Sequence, residues 1–300
     1  MEGEVLVVVN PVAGQGRARR AWPAIAERLQ ERGIAHRAVY TRARGEATRL
    51  TAEALRAGAR TVVAAGGDGT ANEVINGFFH EEESAVVPRC PEARFAFLPL
   101  GTGSDLARAV GTPRATPEAL LGALSAEPRR IDLGRVTYTT ADGSTVRRYF
   151  VNGADLGLGG ELVARLGRGR IKRLGGFLAY FLAAIQAILN HQAIPARYTV
   201  DDAEPLDAPV DIIFVANGRF IGGGMLVAPM ASLDDGYLDA LIVRATSKPT
   251  LLVRLLPAIY RGSHLAHPAV QHERVRQLTV STTGTALLQL DGEQPGRAPA

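Results

Sequence analysis

TVVAAGGDGTAN, residues Thr61 to Asn72, is an apolar, partly β-branched run that ends in three glycines within four residues. That composition belongs to a buried strand turning sharply into a helix, so Thr61–Ala65 is predicted as a strand and Asn72–Phe79 as the helix after it. The flanking sequence repeats the pattern. Val5–Val9 is a continuous β-branched run stopped by Asn10-Pro11. From Arg17 to Arg32 the apolar positions Ala21, Ile25, Ala26 and Leu29 recur at helical spacing, and Gly33 ends the series. Ala38–Tyr40 and Phe95–Leu98 read as further strands, with Gly45–Ala57 a helix between them. Strand, turn and helix in repetition predict an α/β domain whose parallel sheet is covered on both faces.

The pattern changes after Ile131-Asp132. Arg135–Thr139 and Arg147–Asn152 flank Asp142-Gly143, a hairpin signal. Arg197–Val200, Val210–Asn217, Tyr237–Val243, Gln277–Thr282 and Ala286–Leu290 are further strand candidates, interrupted by helical segments at Leu174–Leu189 and Thr250–Tyr260. Residues 1–130 are therefore predicted as the α/β domain, and residues 131–300 as an antiparallel β domain with a cleft between the two.

Composition narrows the function classes. With 46% hydrophobic and 21% charged residues the chain is too apolar to be disordered. A single cysteine, Cys90, excludes an internal disulfide framework and a Cys-rich zinc site. The net charge is only +4 and the basic residues are scattered, so nucleic acid is not expected as a partner. Met1–Asn10 has acidic residues and no cleavage pattern, unlike a signal peptide. Gly175–Leu189 is short of the roughly 20 apolar residues that span a bilayer. A cytoplasmic protein that touches a membrane peripherally is the expectation. The apolar face of Leu174–Leu189, flanked by Arg170, Lys172 and Arg173, reads as packing on its own domain in preference to facing lipid. His264, His267 and His272 lack metal-ligand spacing.

Chemistry concentrates in two loops. In Gly66-Gly67-Asp68-Gly69-Thr70-Ala71-Asn72 the glycines let backbone approach a phosphate, and the following helix aims N–H groups and its positive dipole end at the anion. Asp68 is unsuited to touch phosphate, but suits a Mg²⁺ held through water. Pro99-Leu100-Gly101-Thr102-Gly103-Ser104-Asp105 repeats the logic at the end of another strand, which in a parallel sheet places Asp68 and Asp105 on one rim. The bland alternatives are a ligand-free turn and a helix cap. Neither a P-loop nor a dinucleotide fingerprint is present.

Asn10-Pro11-Val12-Ala13-Gly14, the two loops above, Leu233-Asp234-Asp235-Gly236-Tyr237-Leu238-Asp239 and Leu290-Asp291-Gly292-Glu293 resemble, in order and over essentially the whole chain, the catalytic domain shared by diacylglycerol kinases, sphingosine kinases and related bacterial lipid kinases. The resemblance implies a phosphofructokinase/NAD-kinase-like nucleotide-binding domain, a β-sandwich-like lipid-substrate domain, and ATP and Mg²⁺ as cofactors. It implies that Asn10, Thr41, Gly66, Gly67, Asp68, Gly69, Thr70, Ala71, Asn72, Gly101 and Thr102 bind ATP. Asp68, Asp105 and Asp132 would hold a catalytic Mg²⁺, and Ser232, Asp235 and Tyr237 a structural one. Asp291 and Glu293 supply the general base, with the choice between them open. The implied reaction moves the γ-phosphoryl group of ATP to a hydroxyl of a diacylglycerol-like or sphingoid lipid at a membrane surface, with a homodimer possible. Rival readings are an NAD-kinase-like enzyme and an inactive nucleotide-binding regulator at the membrane.

Three positions depart from the family pattern. Ser104 stands where relatives usually have Asn, and Gln294 separates Glu293 from Pro295. The chain runs only seven residues past Glu293, where relatives carry further strand. A closing strand missing there would leave an unpaired sheet edge.

Overall fold

All five residues of β1 (Val5–Val9) are buried. A β-branched run without a polar face needs apolar cover on both sides, which an inner strand of a parallel sheet provides. The computed structural model describes residues 4–82, 85–112, 115–140, 142–168 and 176–298. It divides into two units, Met1–Arg130 and Ile131–Ala300.

In the first unit β1 is followed by α1 (Ala13–Glu31), β2 (His36–Tyr40), α2 (Glu46–Arg56), β3 (Thr61–Gly66), α3 (Asp68–Gly77), a hairpin of β4 (Phe79–Glu82) and β5 (Ala85–Pro88), β6 (Arg94–Pro99), α4 (Asp105–Ala109) and α5 (Pro117–Ser125). The sheet order is β2-β1-β3-β6, and every pair is parallel. Val5, Val7, Val9, Val63, Ala65 and Leu98 pack against Trp22, Ile25 and Leu29 of α1 and Leu120 and Leu124 of α5. Gly14, Gln15 and Gly16 have φ of 58°, 57° and 81°, so regular α-helix in α1 begins at Arg17, where the apolar periodicity begins. α3 starts four residues earlier than expected. Gly67 is extended, Ala71 N–H closes the first turn on Gly67 O at 3.0 Å, and Asp68–Thr70 is already helical. The β4–β5 hairpin has no counterpart in the sequence reading.

The second unit runs β7 (Gly134–Thr139), β8 (Thr145–Phe150), β9 (Gly153–Gly157), α6 (Leu158–Arg168), α7 (Gly176–Asn190), β10 (Ile194–Val200), β11 (Leu206–Ala216), β12 (Phe220–Ile221), β13 (Met225–Leu226), β14 (Leu238–Arg244), a π-helical turn Thr250–Leu255 leading into α8 (Leu256–Ile259), β15 (Val270–Val275), β16 (Leu278–Thr282), β17 (Leu287–Leu290) and β18 (Glu293–Arg297). Its main sheet is ordered β15-β14-β11-β9-β17-β18-β7-β8, with β10 joining β11 to β16, and all pairs are antiparallel. The inward residues Tyr138, Phe150, Leu156, Tyr198, Ile213, Ile242, Val280, Leu288 and Leu290 form one core. The chain is thus a parallel α/β domain followed by an antiparallel β domain.

β18 pairs antiparallel with β17 and reaches β7 at Arg297 opposite Thr139, so the far side of β17 is covered. A Cβ on Gly296 would lie 2.5 Å from Thr139 O, and only glycine permits that approach. On α7, Ala183, Ala184 and Ala187 are buried against α6 side chains including Leu162, and Ile188 against Leu251 and Leu255, while Leu189 of the expected apolar face is exposed. The basic flank Arg170, Lys172 and Arg173 lies outside the described residues. No described helix is long and apolar enough to cross a membrane.

The α6–α7 pair is tied to the sheet by one imidazole. His191, 4% exposed, places Nδ1 2.8 Å from Glu161 Oε1 on α6 and Nε2 3.3 Å from Asp211 Oδ1 on β11. Burial pulls the His191 pKa down, but hydrogen bonds and charge from Asp211 and Glu161 outweigh it and lift it to about 9. His191 is therefore a buried cation at neutral pH. Its folded pKa lies above its unfolded one, so the stability it adds is complete below about pH 6.5 and is lost as pH rises through about 9. His191→Gln is expected to lower the unfolding midpoint at pH 6, with the gap to wild type closing by about pH 10, as measured by thermal unfolding across that range.

Candidate active site

The two glycine loops of the first unit touch. Leu100 and Gly101 N–H both donate to Gly66 O, at 2.7 and 2.9 Å, and a Cβ on Gly101 would lie 2.4 Å from Gly67 Cα. Gly101 has no room for a side chain, which is the physical reason for its presence here. Gly14 makes the third approach: its φ is +58°, and a Cβ would lie 2.3 Å from Leu100 O. Asn10 closes the corner by donating from Nδ2 to Thr70 Oγ1 at 3.0 Å, while its Oδ1 accepts from Val12 N–H at 3.2 Å.

Asp68 and Asp105 are brought together here. Asp68 accepts from Asp105 N–H (3.2 Å) and Leu106 N–H (3.0 Å). A Cβ on Gly103 would lie 2.9 Å from Asp68 Oδ2 and 3.6 Å from Asp105 Oδ2, so both carboxylates face that glycine. Burial pushes the Asp68 carboxyl pKa up, an effect only partly offset by the N–H groups of Leu106, Asp105 and Ser104 and the Arg108 charge. Arg108 Nη1 also pairs with Asp105 Oδ1 at 2.8 Å. A divalent cation fits this pair, because it would offset the burial of two adjacent carboxylates. No group of three metal-ligating side chains exists among the described residues, so water and phosphate oxygens would complete its shell.

Two arginines that the sequence reading passed over line the adjoining cavity. Arg17 donates to the carbonyls of Pro99 (3.2 Å), Leu100 (3.2 Å) and Gly101 (2.6 Å). With Arg108, Thr102, Gly103 and Ser104 it borders a polar cavity of about 190 Å³. That is below the roughly 300–1,000 Å³ of sites that enclose a whole small ligand, and is room for a phosphate group. Thr102 is exposed, Thr41 is buried and donates its N–H to Val9 O, and Ala71 and Asn72 are 0% and 2% exposed with their side chains turned into the protein. Glu73, absent from the sequence reading, accepts from Gly45 and Ala47 N–H and so caps α2 from α3. Its signal was available: an acidic residue one helical turn beyond Gly69-Thr70.

In the second unit, Asp291 and Gly292 form the two-residue turn between β17 and β18, with φ of 44° and 86° and Leu290 opposite Glu293. The Asp291 carboxylate is 4% exposed and accepts from three consecutive backbone N–H groups, Val151 (2.8 Å), Asn152 (2.8 Å) and Gly153 (3.0 Å). Glu293, two residues on, is half-buried. Its charge reaches Tyr138, whose hydroxyl pKa is raised by burial first and by Glu293 as a lesser cause.

Asp132 belongs to the second unit. Its Oδ2 accepts from Gly236 N–H at 2.7 Å, joining it to the Asp234-Asp235-Gly236 turn. In that turn Asp235 accepts from Tyr237 N–H (3.1 Å) and pairs with Arg274 (2.7 Å), while the guanidinium carbons of Arg274 and Arg276 lie 4.4 and 5.0 Å from the centre of the Tyr237 ring. The Ser232 hydroxyl donates to Asp234 at 2.7 Å. A cation held by the Asp235 carboxylate and the Ser232 and Tyr237 carbonyls would share Asp235 with Arg274.

The family described as Diacylglycerol kinase catalytic domain matches residues 4–136, and the YegS C-terminal NAD kinase beta sandwich-like domain matches residues 157–300. Residues 4–136 thus form a diacylglycerol kinase-like catalytic domain. It is 28% identical to the diacylglycerol kinase of Staphylococcus saprophyticus, over 100% of this chain and 92% of that one. To a diacylglycerol kinase of Staphylococcus aureus it is also 28% identical, over 100% and 89%. A solved structure of a diacylglycerol kinase from Bacillus anthracis superposes with a TM-score of 0.70 at 22% identity, covering 99% of this chain and 92% of that one. That last likeness speaks to the fold.

Within the matched catalytic domain, Ser104 has a physical reading. Its φ is 56°, in the left-handed region that Asn adopts more readily than Ser. Ser104→Asn is expected to stabilise the protein by about 0.5–1 kcal/mol in chemical denaturation. A loss of stability would contradict the strain assigned to this position.

Proposed function

We propose that this kinase transfers the γ-phosphoryl group of ATP to the hydroxyl of a diacylglycerol-like or sphingoid lipid. The observation that carries the nucleotide half is the Gly67–Gly101 contact, which joins two phosphate-approaching loops with Asp68 and Asp105 at their edge. Backbone at Gly66–Gly67, the N-terminal turn of α3 and the Arg17–Arg108 cavity would hold the polyphosphate. Asp68 and Asp105 would hold Mg²⁺ through water. When bound, the cation offsets charge on the phosphates.

The acceptor half rests on the Asp291-Gly292-Glu293 turn. Asp291 already accepts three backbone N–H bonds, which leaves it poorly disposed to take a proton and well disposed to fix the turn. Glu293 is therefore assigned as the general base. It takes the proton of the lipid hydroxyl as that oxygen bonds to the γ-phosphorus, and the bond from phosphorus to the bridging oxygen breaks to release ADP. Peripheral membrane contact belongs to the same proposal, since the substrate resides in a bilayer.

The test is transfer of labelled phosphate from ATP into a panel of diacylglycerols, sphingoid bases and NAD. Wild type is expected to label a lipid, with Asp68→Asn inactive and Glu293→Gln slowed by about 10²–10⁴-fold in kcat. Labelling of NAD alone would contradict the lipid assignment, and a fully active Glu293→Gln would contradict the base.

A further inference from the structure

β17 carries the Asp291-Gly292-Glu293 turn, and its place in the sheet is set by pairing with β9. Leu288 lies opposite Leu156, Gln289 opposite Asp155, and Leu290 opposite Ala154. Side chains alternate along strands, so Leu288, Leu290, Leu156 and Ala154 enter the apolar core while Gln289 and Asp155 share the other face. α6 is pressed onto that face. A Cβ on Gly159 would lie 2.2 Å from Asp155 Oδ1, and one on Gly160 would lie 2.3 Å from Leu287 O. Asp155 and Gln289 are 4% and 3% exposed.

Asp155 Oδ1 and Gln289 Oε1 are both buried and, among the described residues, neither has a hydrogen-bond partner. Two buried acceptors on directly opposed residues of a strand pair are unfavourable unless a proton is shared between them. One proton satisfies both. We propose that Asp155 is held in its neutral acid form and donates to Gln289 Oε1, making it a positioning residue that fixes β17 and the turn bearing Glu293.

The surroundings agree. Burial pushes the Asp155 carboxyl up to about 8, opposed only by the Gly160 N–H. The described charged side chains on elements packed against β9 are engaged elsewhere. On α6, Glu161 pairs with Arg165 and His191; on β11, Asp211 pairs with His191 and Asp207 with Arg197. β17 carries no charge. Asp291, at the end of β17, is held by its three N–H donors.

Thermal unfolding of wild type and Asp155→Asn between pH 5 and 9 tests the protonation. The amide of Asn donates to Gln289 as the acid does, but does not titrate. An acid with a raised folded pKa stabilises most at low pH, and that stability falls from the unfolded pKa up through the folded one. The midpoint of Asp155→Asn is therefore expected to gain on wild type by about 5 °C or more between pH 5 and pH 8, then to level off. Midpoints that run parallel across the range would overturn the proposal. The positioning role rests on the reading of Glu293 as base and has its own arm. Gln289→Met, close in shape but lacking the acceptor, is expected to lower kcat about tenfold with the KM for ATP unchanged, while Asp155→Asn keeps wild-type kcat. Wild-type kcat in Gln289→Met, or an equal loss in both variants, would overturn that role. If wild type phosphorylates no lipid, the kinase reading fails alone, and the unfolding curves still decide the state of Asp155.

Discussion

A carboxylate that accepts hydrogen bonds from consecutive backbone N–H groups organises each half of this chain. Asp291 gathers the N–H groups of Val151, Asn152 and Gly153, where β8 gives way to β9, and so binds the β17–β18 turn to that junction. Asp68 gathers those of Asp105 and Leu106 and binds the loop after β3 to the loop after β6. Backbone N–H groups at a strand junction or at the start of a helix have no partner in regular structure, and leaving one buried and unpaired costs about 1–3 kcal/mol. An ionised acceptor makes the stronger bond. The glycines follow from these anchors: Gly14 and Gly101 stand where the drawn-together backbone leaves no space for a Cβ, and Gly103 where the Asp68 carboxylate leaves little.

The same constraint separates residues that look alike in sequence. Asp291 and Glu293 both read as candidate bases, yet one is saturated by three donors while the other lies two residues further on, on β18. The alternation of a strand cannot express this, because the donors come from about 140 residues earlier in the chain. Asp105 and Asp132 likewise read as equivalent acids. One faces Gly103 beside Asp68, and the other accepts from Gly236 N–H of the Asp-Asp-Gly turn.

Much of the fold was legible because its signals are local. The β-branched run at β1, the apolar period of α1, the Asp142-Gly143 hairpin and the glycine corner at Gly66–Gly69 each need only near neighbours to be understood. What escaped reading depends on distant partners. β9 is Gly-Ala-Asp-Leu-Gly, poor strand sequence by propensity, and its glycines answer to the Phe214 ring and Asp211 O. β18 is Glu-Gln-Pro-Gly-Arg and reads as a tail, yet pairing with β17 and the approach of Gly296 to Thr139 make it a strand. In the site, the glycine motifs and acids were visible as residue types. Arg17 was not, because its role lies in bonds to carbonyls more than 80 residues away.

Thermal unfolding of Asp291→Asn beside Glu293→Gln tests most directly whether Asp291 holds the site together and leaves the chemistry to Glu293. Replacing a charged acceptor of three buried N–H groups should lower the midpoint of Asp291→Asn by about 5–10 °C. Glu293→Gln should stay within about 2 °C of wild type, since that substitution removes a proton acceptor and keeps its shape. Equal midpoints, or a larger fall in Glu293→Gln, would contradict the division of roles between the two carboxylates.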